Sequence, residues 1–290
     1  ARDDVGAPLV PAADPDRWWG LAETTHSDTP VVAEGEPVLL SASGLQRMQE
    51  CPLRWFLEKK AAAEQASSAA MGFGNVVHAL AHEVGQGATS ADLDALMRRL
   101  DTVWHQLSFD APWQSVQQRE HARESLVRLL AWHVADRGRE LVGTEVGFDV
   151  LLPVEGAEVR LRGQVDRLER TADGALHVVD LKTGKTPPLP KDLPAHPQLG
   201  TYQLVVREGG LGPGHPGGAE LVQLRSDGPG GPLVQPQGAL ADDWVDTLLA
   251  TAVRRIVTET FPPHVEDNRC ARCAFARACP GRSEGRQVVS

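Results

Sequence analysis

Asp166, Asp180 and Lys182 are the residues of this chain whose types and spacing could do chemistry. They lie in Gly163-Gln164-Val165-Asp166 and Val178-Val179-Asp180-Leu181-Lys182-Thr183-Gly184. Strand residues two apart project to one face, so an extended 176–182 segment points Asp180 and Lys182 together. The β-rich runs 159–168 and 176–181 flank Ala172-Asp173-Gly174. That tripeptide suits a hairpin loop whose last position wants positive φ and receives glycine. Counting back from the loop, Thr171 faces Ala175 and Asp166 faces Asp180. Two carboxylates directly across a ladder repel each other unless a cation sits between them, and a hard divalent ion with oxygen ligands, Mg²⁺ or Mn²⁺, suits that place. Two acidic ligands and a lysine on one hairpin read as a site for cleaving phosphodiesters.

The alternative is a solvated hairpin with its charges turned outward. Val178 and Val179 lead directly into Asp180, and Gly163 leaves room beside the other strand; both weigh against it. Gly184-Lys185-Thr186 imitates the end of a phosphate-binding loop, but Val179 stands where that loop's first glycine belongs, so no ATP site is read here.

Elements on either side must position this hairpin. Ser41 or Ser43 caps a helix expected to run through Lys60, with Cys51 riding on it. A second helix over 71–84 carries an apolar stripe of Val76, Val77, Leu80, Ala81 and Val84, with His78 beside it. Amphipathic stretches at 91–107 and 115–139 predict a helical lobe, about residues 85–140, covering one side of the site. The period then becomes alternating, giving strands at 145–152, 158–168 and 176–181, a helix at 198–206, a glycine and proline loop at 209–218, a strand at 219–224 and a helix at 242–260. The order implies an α/β fold with a mixed central sheet flanked by helices.

The 290 residues carry a formal net charge of −10, which argues against gripping nucleic acid by bulk electrostatics. Carboxylates that hold cations add to that count, however, and Arg160, Arg162, Arg167, Lys182, Lys185 and Lys191 cluster in sequence around the proposed site. No apolar run long enough to span a membrane and no signal peptide is visible, so a soluble, cytoplasmic protein is expected. The chain starts with Ala, and residues 1–37 are rich in Pro, Asp, Ala and Glu; they read as a linker from an upstream region. Residues 38–280 read as one domain and 281–290 as a flexible tail. Trp18 and Trp19 are expected to anchor the linker on a neighbouring surface.

Three of the four cysteines form Cys270-x₂-Cys273-x₅-Cys279, and the fourth is Cys51, in Cys51-Pro52-Leu53-Arg54-Trp55-Phe56. In a cytosolic protein this pattern favours metal ligation over disulfides. Prolines after Cys51 and Cys279 are common beside iron–sulfur ligands, while four thiolates equally suit tetrahedral Zn²⁺, so spacing alone leaves both open. Either centre would tie the ends of the domain together.

Taken in order, Gly74-x₃-His78, Glu145, Gly163-x₂-Asp166, Asp180-x-Lys182, Gln198-x₃-Tyr202 and the split cysteines resemble the PD-(D/E)xK nuclease superfamily. More closely they resemble its RecB-like branch with an iron–sulfur staple; the acidic linker, the Cys51–Phe56 segment and the high Ala, Gly, Arg and Asp content look most like the C-terminal nuclease module of actinobacterial AdnAB-type helicase–nucleases. CRISPR-associated RecB-like exonucleases share the cysteine arrangement. The resemblance implies a restriction-endonuclease-like core and a metal-dependent deoxyribonuclease acting on single-stranded ends made by a helicase in double-strand break repair. It implies that His78, Asp166, Asp180 and the Leu181 carbonyl hold the catalytic metal, with Glu145 as a further carboxylate and Asp149 as the alternative to it. Lys182 would orient or deprotonate the attacking water, and Gln198 and Tyr202, one helical turn apart, would face the DNA backbone. Cys51, Cys270, Cys273 and Cys279 would hold a [4Fe–4S] cluster. Helicase motor domains upstream in the chain and a second helicase–nuclease subunit are the implied partners. His82, His121, His133, His196 and His264 have no role in this reading.

Overall fold

The turn residues between 139 and 182 shape the centre of the fold. Glu155 and Gly156 carry φ of +52° and +79°, the consecutive left-handed residues that a two-residue hairpin needs to match strand twist. Gly174 takes φ +87° at the end of the next loop, as its position predicts. The computed structural model describes residues 27–63, 69–109 and 111–285, together with Asp4 and Gly6. Most of the expected linker, with Trp18 and Trp19, and part of the expected tail lie outside the described residues.

In chain order the elements are β1 (Val38–Leu40), α1 (Ala42–Glu50), α2 (Pro52–Lys59), α3 (Ala69–Gly85), α4 (Leu93–Trp104), α5 (Pro112–Val134), β2 (Arg139–Val154), β3 (Ala157–Thr171), β4 (Leu176–Lys182), α6 (Pro197–Arg207), β5 (Pro216–Gly228), β6 (Gly231–Gln237), α7 (Trp244–Val257) and α8 (Asp267–Cys270). The chain divides into two compact units. One comprises Pro37–Gln46 and Ala66–Val253; the other comprises Ala1–Glu36, Arg47–Gln65 and Arg254–Ser290.

The larger unit holds the sheet. β2 runs antiparallel along one edge of β3, from Arg139 opposite Thr171 to Val154 opposite Ala157. The other edge of β3 is shared: β1 lies parallel to Val159–Leu161, and β4 lies antiparallel to Arg167–Arg170. β5 then pairs parallel with β4 and antiparallel with β6, and α6 provides the crossover that a parallel pair requires. β4 is buried at six consecutive positions, Leu176–Leu181, as a strand covered on both faces must be. Helices α3, α4 and α5 cover one face, where Phe73, Val77, Leu96, Leu100, Leu126 and Leu129 pack with Val179, Leu181, Val222 and Leu224. Asp180 alternates with Val179 and Leu181 and so points to the opposite face, where α6 lies buried from Gln198 to Val206. The result is the α/β class expected, a mixed sheet between helices. Among the described residues no helix is long and apolar enough to cross a membrane.

Several elements depart from the sequence reading. The helix expected to reach Lys60 breaks at Cys51, whose φ of −164° and ψ of 106° are extended. Pro52 forces this, because its ring disfavours helical geometry in the residue before it and it starts a new helix well. Cys51 is therefore the N-cap of α2 rather than a residue within a helix. The helix expected to reach residue 139 ends at Val134, and β2 begins at Arg139, earlier than read. β1 and β6 were not anticipated. β1 has only three residues, and β6 contains Pro232 and Pro236, tolerated because it is the last strand of the sheet.

Two glycines bring elements close. Gly163 leaves the space that the Phe148 ring fills, 2.9 Å from where a Cβ would stand, and Phe148 meets Tyr202 of α6 edge-on, with centroids 6.3 Å apart. Gly74, on α3, lets that helix approach the end of β4: a Cβ there would stand 2.9 Å from Thr183 Oγ1. Replacing Gly74 by Ala gains about 1 kcal/mol of helix propensity but meets this clash, which costs roughly 1–3 kcal/mol. Gly74→Ala should therefore be neutral to destabilising in the native background and stabilising by about 1 kcal/mol when Thr183 is also Ala. Urea midpoints of the four proteins measure that coupling, and strictly additive effects would show that the contact does not position α3.

Candidate active site

Asp166 sits between two other carboxylates. Thr144 pairs with Arg167 and Val146 with Val165, so Glu145 faces Asp166 across β2 and β3. Arg167 pairs with Val179, so Asp166 faces Asp180 one position beyond the last ladder pair of β3 and β4. The register expected from the hairpin loop thus holds, and it places three acidic residues in a row across three neighbouring strands. The β3–β4 ladder ends there, and Asp166 itself bridges the gap: its Oδ2 accepts from the Leu181 backbone N–H at 2.6 Å. The other oxygen, Oδ1, lies 3.2 Å from His78 Nδ1, delivered by α3.

His78, Glu145 and Asp166 each offer a ligand atom, all within 4.8 Å of one another, and among the described residues no other group does so. Cis ligands at about 2.1 Å in an octahedral shell stand about 3.0 Å apart, so the 3.2 Å between His78 and Asp166 fits two neighbouring positions around one Mg²⁺ or Mn²⁺. Without an ion, a proton does part of its work. Burial disfavours the His78 imidazolium, but the hydrogen bond to Asp166 and the charges of Asp166, Asp180 and Glu145 outweigh it and raise its pKa. Burial and the charge of Asp166 push the Glu145 carboxyl upward in turn. A cation would relieve all three groups.

Asp180 is only 4% exposed and is held in a second cluster. Its Oδ1 accepts from Gln198 Nε2 at 2.9 Å and from the Tyr202 hydroxyl at 3.0 Å. Gln198 also donates to the Tyr202 oxygen at 2.8 Å and accepts from Lys182 Nζ at 2.7 Å. Lys182 Nζ stands 2.7 Å from Asp180 Oδ2, yet that buried oxygen makes no hydrogen bond of proper geometry. The distance marks a close ion pair, and the direction leaves a lone pair of Oδ2 free, which suits a further cation. Burial raises the Asp180 pKa, with Lys182 opposing and Asp166 adding to the shift. Burial and the neighbouring Asp180 and Asp166 charges also raise that of Tyr202, so the phenol keeps its proton. Gln198 and Tyr202 do share a helix face, as their spacing predicts, and it is turned onto Asp180 and Lys182. Helix packing buries that face, and the side chains act as a clamp.

Other expected residues land elsewhere. Asp149 is fully engaged by Arg160 on the exposed part of the hairpin, at 2.7 and 2.6 Å, so Glu145 is the carboxylate that the strand brings to the row. Arg160 is thereby removed from the basic cluster read in the sequence, whereas Arg167 is buried beside the site. Leu181 lies at the site through its backbone N–H. His82 and His133, to which the sequence assigned no role, line the same crevice as His78, Glu145 and Asp166. The one-turn spacing of His82 from His78 was the available signal for the first; nothing in the sequence marked the second.

The cysteines belong to the smaller unit. All four are free of disulfides and half-buried, and no three of their sulfurs lie within 4.8 Å of one another. Arg269, just before Cys270, donates to the Glu50 carbonyl, just before Cys51, at 2.7 Å. Phe261 stacks on Phe56 and Trp55, with centroids 4.8 and 5.8 Å apart.

Residues 39–280 match the model of the PD-(D/E)XK nuclease superfamily. The chain belongs to that superfamily. Its membership makes the chain a nuclease hydrolase. Over 158 residues, 52% of the chain, it is 28% identical to a subunit of an ATP-dependent helicase/deoxyribonuclease of Streptococcus mutans. The match spans only 14% of that relative's length. The crystal structure of SSO0001 aligns with 86% of the chain and 89% of its own, at a TM-score of 0.43 and 16% identity.

Glu145 reaches the row at a conformational cost. Its φ of +50° is left-handed, a geometry that an ordinary side chain adopts with strain. Glu145→Gly removes both that strain and the repulsion from Asp166, and should stabilise the metal-free protein by about 1 kcal/mol, or roughly 2–4 °C in the thermal midpoint. Glu145→Ala, which keeps the strain, should gain less. Both should lose most of the further stabilisation that Mn²⁺ gives the parent. A glycine variant melting no higher than the alanine variant would rule the strain out.

Proposed function

We propose that this superfamily member is the nuclease module of an AdnAB-type helicase–nuclease, cutting single-stranded DNA ends that a helicase exposes during double-strand break processing. The observation that carries the reading is the row Glu145, Asp166 and Asp180 beside Lys182, with His78 closing it from α3. The name of the Streptococcus mutans relative supports the link to a helicase. The helicase motor itself would be supplied by upstream domains or by a partner subunit.

When bound, a divalent cation supplies charge neutralisation for a phosphodiester and lowers the pKa of a water beside it. His78, Glu145, Asp166 and Asp180, with the Leu181 carbonyl at the strand end, are the residues that would hold it. Lys182, fixed between Asp180 and Gln198, holds its nitrogen beside the reacting phosphate, where it orients the attacking water and meets charge as it builds. Gln198 and Tyr202 are positioning residues that hold Asp180 and Lys182 in place.

The reading extends to a [4Fe–4S] cluster on Cys51, Cys270, Cys273 and Cys279. The contact from Arg269 to Glu50, which joins the two cysteine segments, supports a centre shared between them.

Asp180→Asn keeps the shape and most of the hydrogen bonds while removing the charge. It should lower Mn²⁺-dependent cleavage of single-stranded DNA by at least about 10²-fold, with the thermal midpoint held near that of the parent. Mn²⁺ should support cleavage at lower concentration than Mg²⁺, because an imidazole nitrogen in the shell favours the softer ion. A parent that degrades no DNA with either metal, or an equally active Asp180→Asn, would overturn the reading. Cys273→Ser should lose iron, acid-labile sulfide and visible absorption after anaerobic purification, and melt at lower temperature. Stoichiometric zinc in the parent would refute the cluster.

A further inference from the structure

Behind the acidic row lies a basic wall. Arg167 follows Asp166 on β3 but points to the other face, toward α5, where its guanidinium sits 5.3 Å from the Trp132 ring. Its Nε donates to Glu169 Oε1 at 2.7 Å, and its Nη1 lies 3.4 Å from His133 Nδ1. Arginine can only donate, so His133 Nδ1 accepts and the ring proton sits on Nε2, leaving a second donor. Trp132 Nε1 is buried without an acceptor. Arg167, His133 and Trp132 line the crevice that also contains His78, Glu145 and Asp166.

The charges behind this wall do not balance. Glu169 is approached by Arg137 and Arg167 at 2.7 Å and by Arg139 at 3.0 Å. Glu220 takes Arg139 at 3.0 Å and His177 at 3.2 Å. Three guanidinium groups thus meet two carboxylates in a largely buried network, and a buried cation without a matching anion is costly. Glu145 and Asp166, the carboxylates that line the same crevice, are candidate metal ligands. On the crevice side the network ends at Arg167. The ligand it suits is compact and anionic rather than a base, because Arg137 stands 4.0 Å over the Trp132 ring and takes its face. Burial and the charges of Arg167 and Arg137 hold His133 neutral, so it contributes a hydrogen bond and Arg167 the charge.

The geometry points to Arg167 and His133 as a phosphate-binding pair that takes the phosphodiester next to the one being cut and so sets the register of the strand over the metal. This rests on the nuclease reading and adds a binding subsite to it. The test is binding of a fluorescein-labelled single-stranded oligonucleotide to the full chain with Ca²⁺ in place of Mn²⁺, read by anisotropy across a salt series. Arg167→Gln leaves Glu169 paired with Arg137 and Arg139. It should weaken binding roughly fivefold or more and lower the salt slope by about 0.7, the value of one phosphate contact on a single strand. His133→Ala should weaken binding with the slope unchanged. A set of oligonucleotides with one neutral methylphosphonate at each successive linkage should reveal one position beside the cut whose neutralisation weakens the parent but not Arg167→Gln. Parent-like slopes and methylphosphonate profiles in both variants would overturn the inference. If Arg167→Gln does not fold, His133→Ala decides alone: it should blunt the same methylphosphonate position, and a parent profile would refute the pair. A parent that binds no single strand sinks the subsite as well. A parent with the expected profile that never cleaves with Mn²⁺ sinks only the nuclease reading.

Discussion

Three carboxylates abreast on three adjacent strands cannot all stay charged and unpaired. Around Glu145, Asp166 and Asp180 the molecule therefore spends much of its polar inventory on compensation: a histidine on one side, a lysine on the other, and a backbone N–H in the gap where the ladder stops. A divalent cation would replace most of that compensation at once. The divergence of β4 from β3 beyond Val179 gives the side chains room to turn toward one another. A sheet paired to its end would have offered Asp166 no free backbone donor at Leu181.

The helices on the two faces then have different tasks. α3 is brought close through Gly74 and presents His78, so its placement determines whether the acidic group gains a nitrogen. α6 is buried along its length and turns Gln198 and Tyr202 onto Asp180 and Lys182. Gln198 is suited to this because an amide both donates and accepts, so it can bond to a carboxylate and an ammonium simultaneously. Phe148, fitted into the space left by Gly163, steadies Tyr202 from the other side. The strained backbone at Glu145 belongs to the same pattern: local conformational energy is spent where a side chain must reach the site.

In the smaller unit, aromatic stacking of Phe261 on Trp55 and Phe56 and the Arg269 contact to Glu50 bring distant segments of chain together. They do this without disulfides. The break between α1 and α2 matters here, because an N-cap position leaves Cys51 outside a continuous helix, with its sulfur at the start of a helix and not along its side.

Much of this was legible in the residues themselves. The loop ending in Gly174 fixes the register of β3 against β4, because one-residue slips would reverse every side chain, and so the facing of Asp166 and Asp180 follows from counting. The fold class follows from the periods. What tertiary structure alone decided is which side of each element is buried and which distant groups meet. Periodicity placed Gln198 and Tyr202 on one face but could not say that the face turns inward. Nothing local distinguishes Glu145 from Asp149 until Arg160 is seen to engage the latter. His133 and Arg167 are far apart in sequence and meet only because the last turn of α5 reaches β3. Sequence spacing encodes contacts within an element and across a tight turn; contacts between elements depend on packing, which the whole core determines.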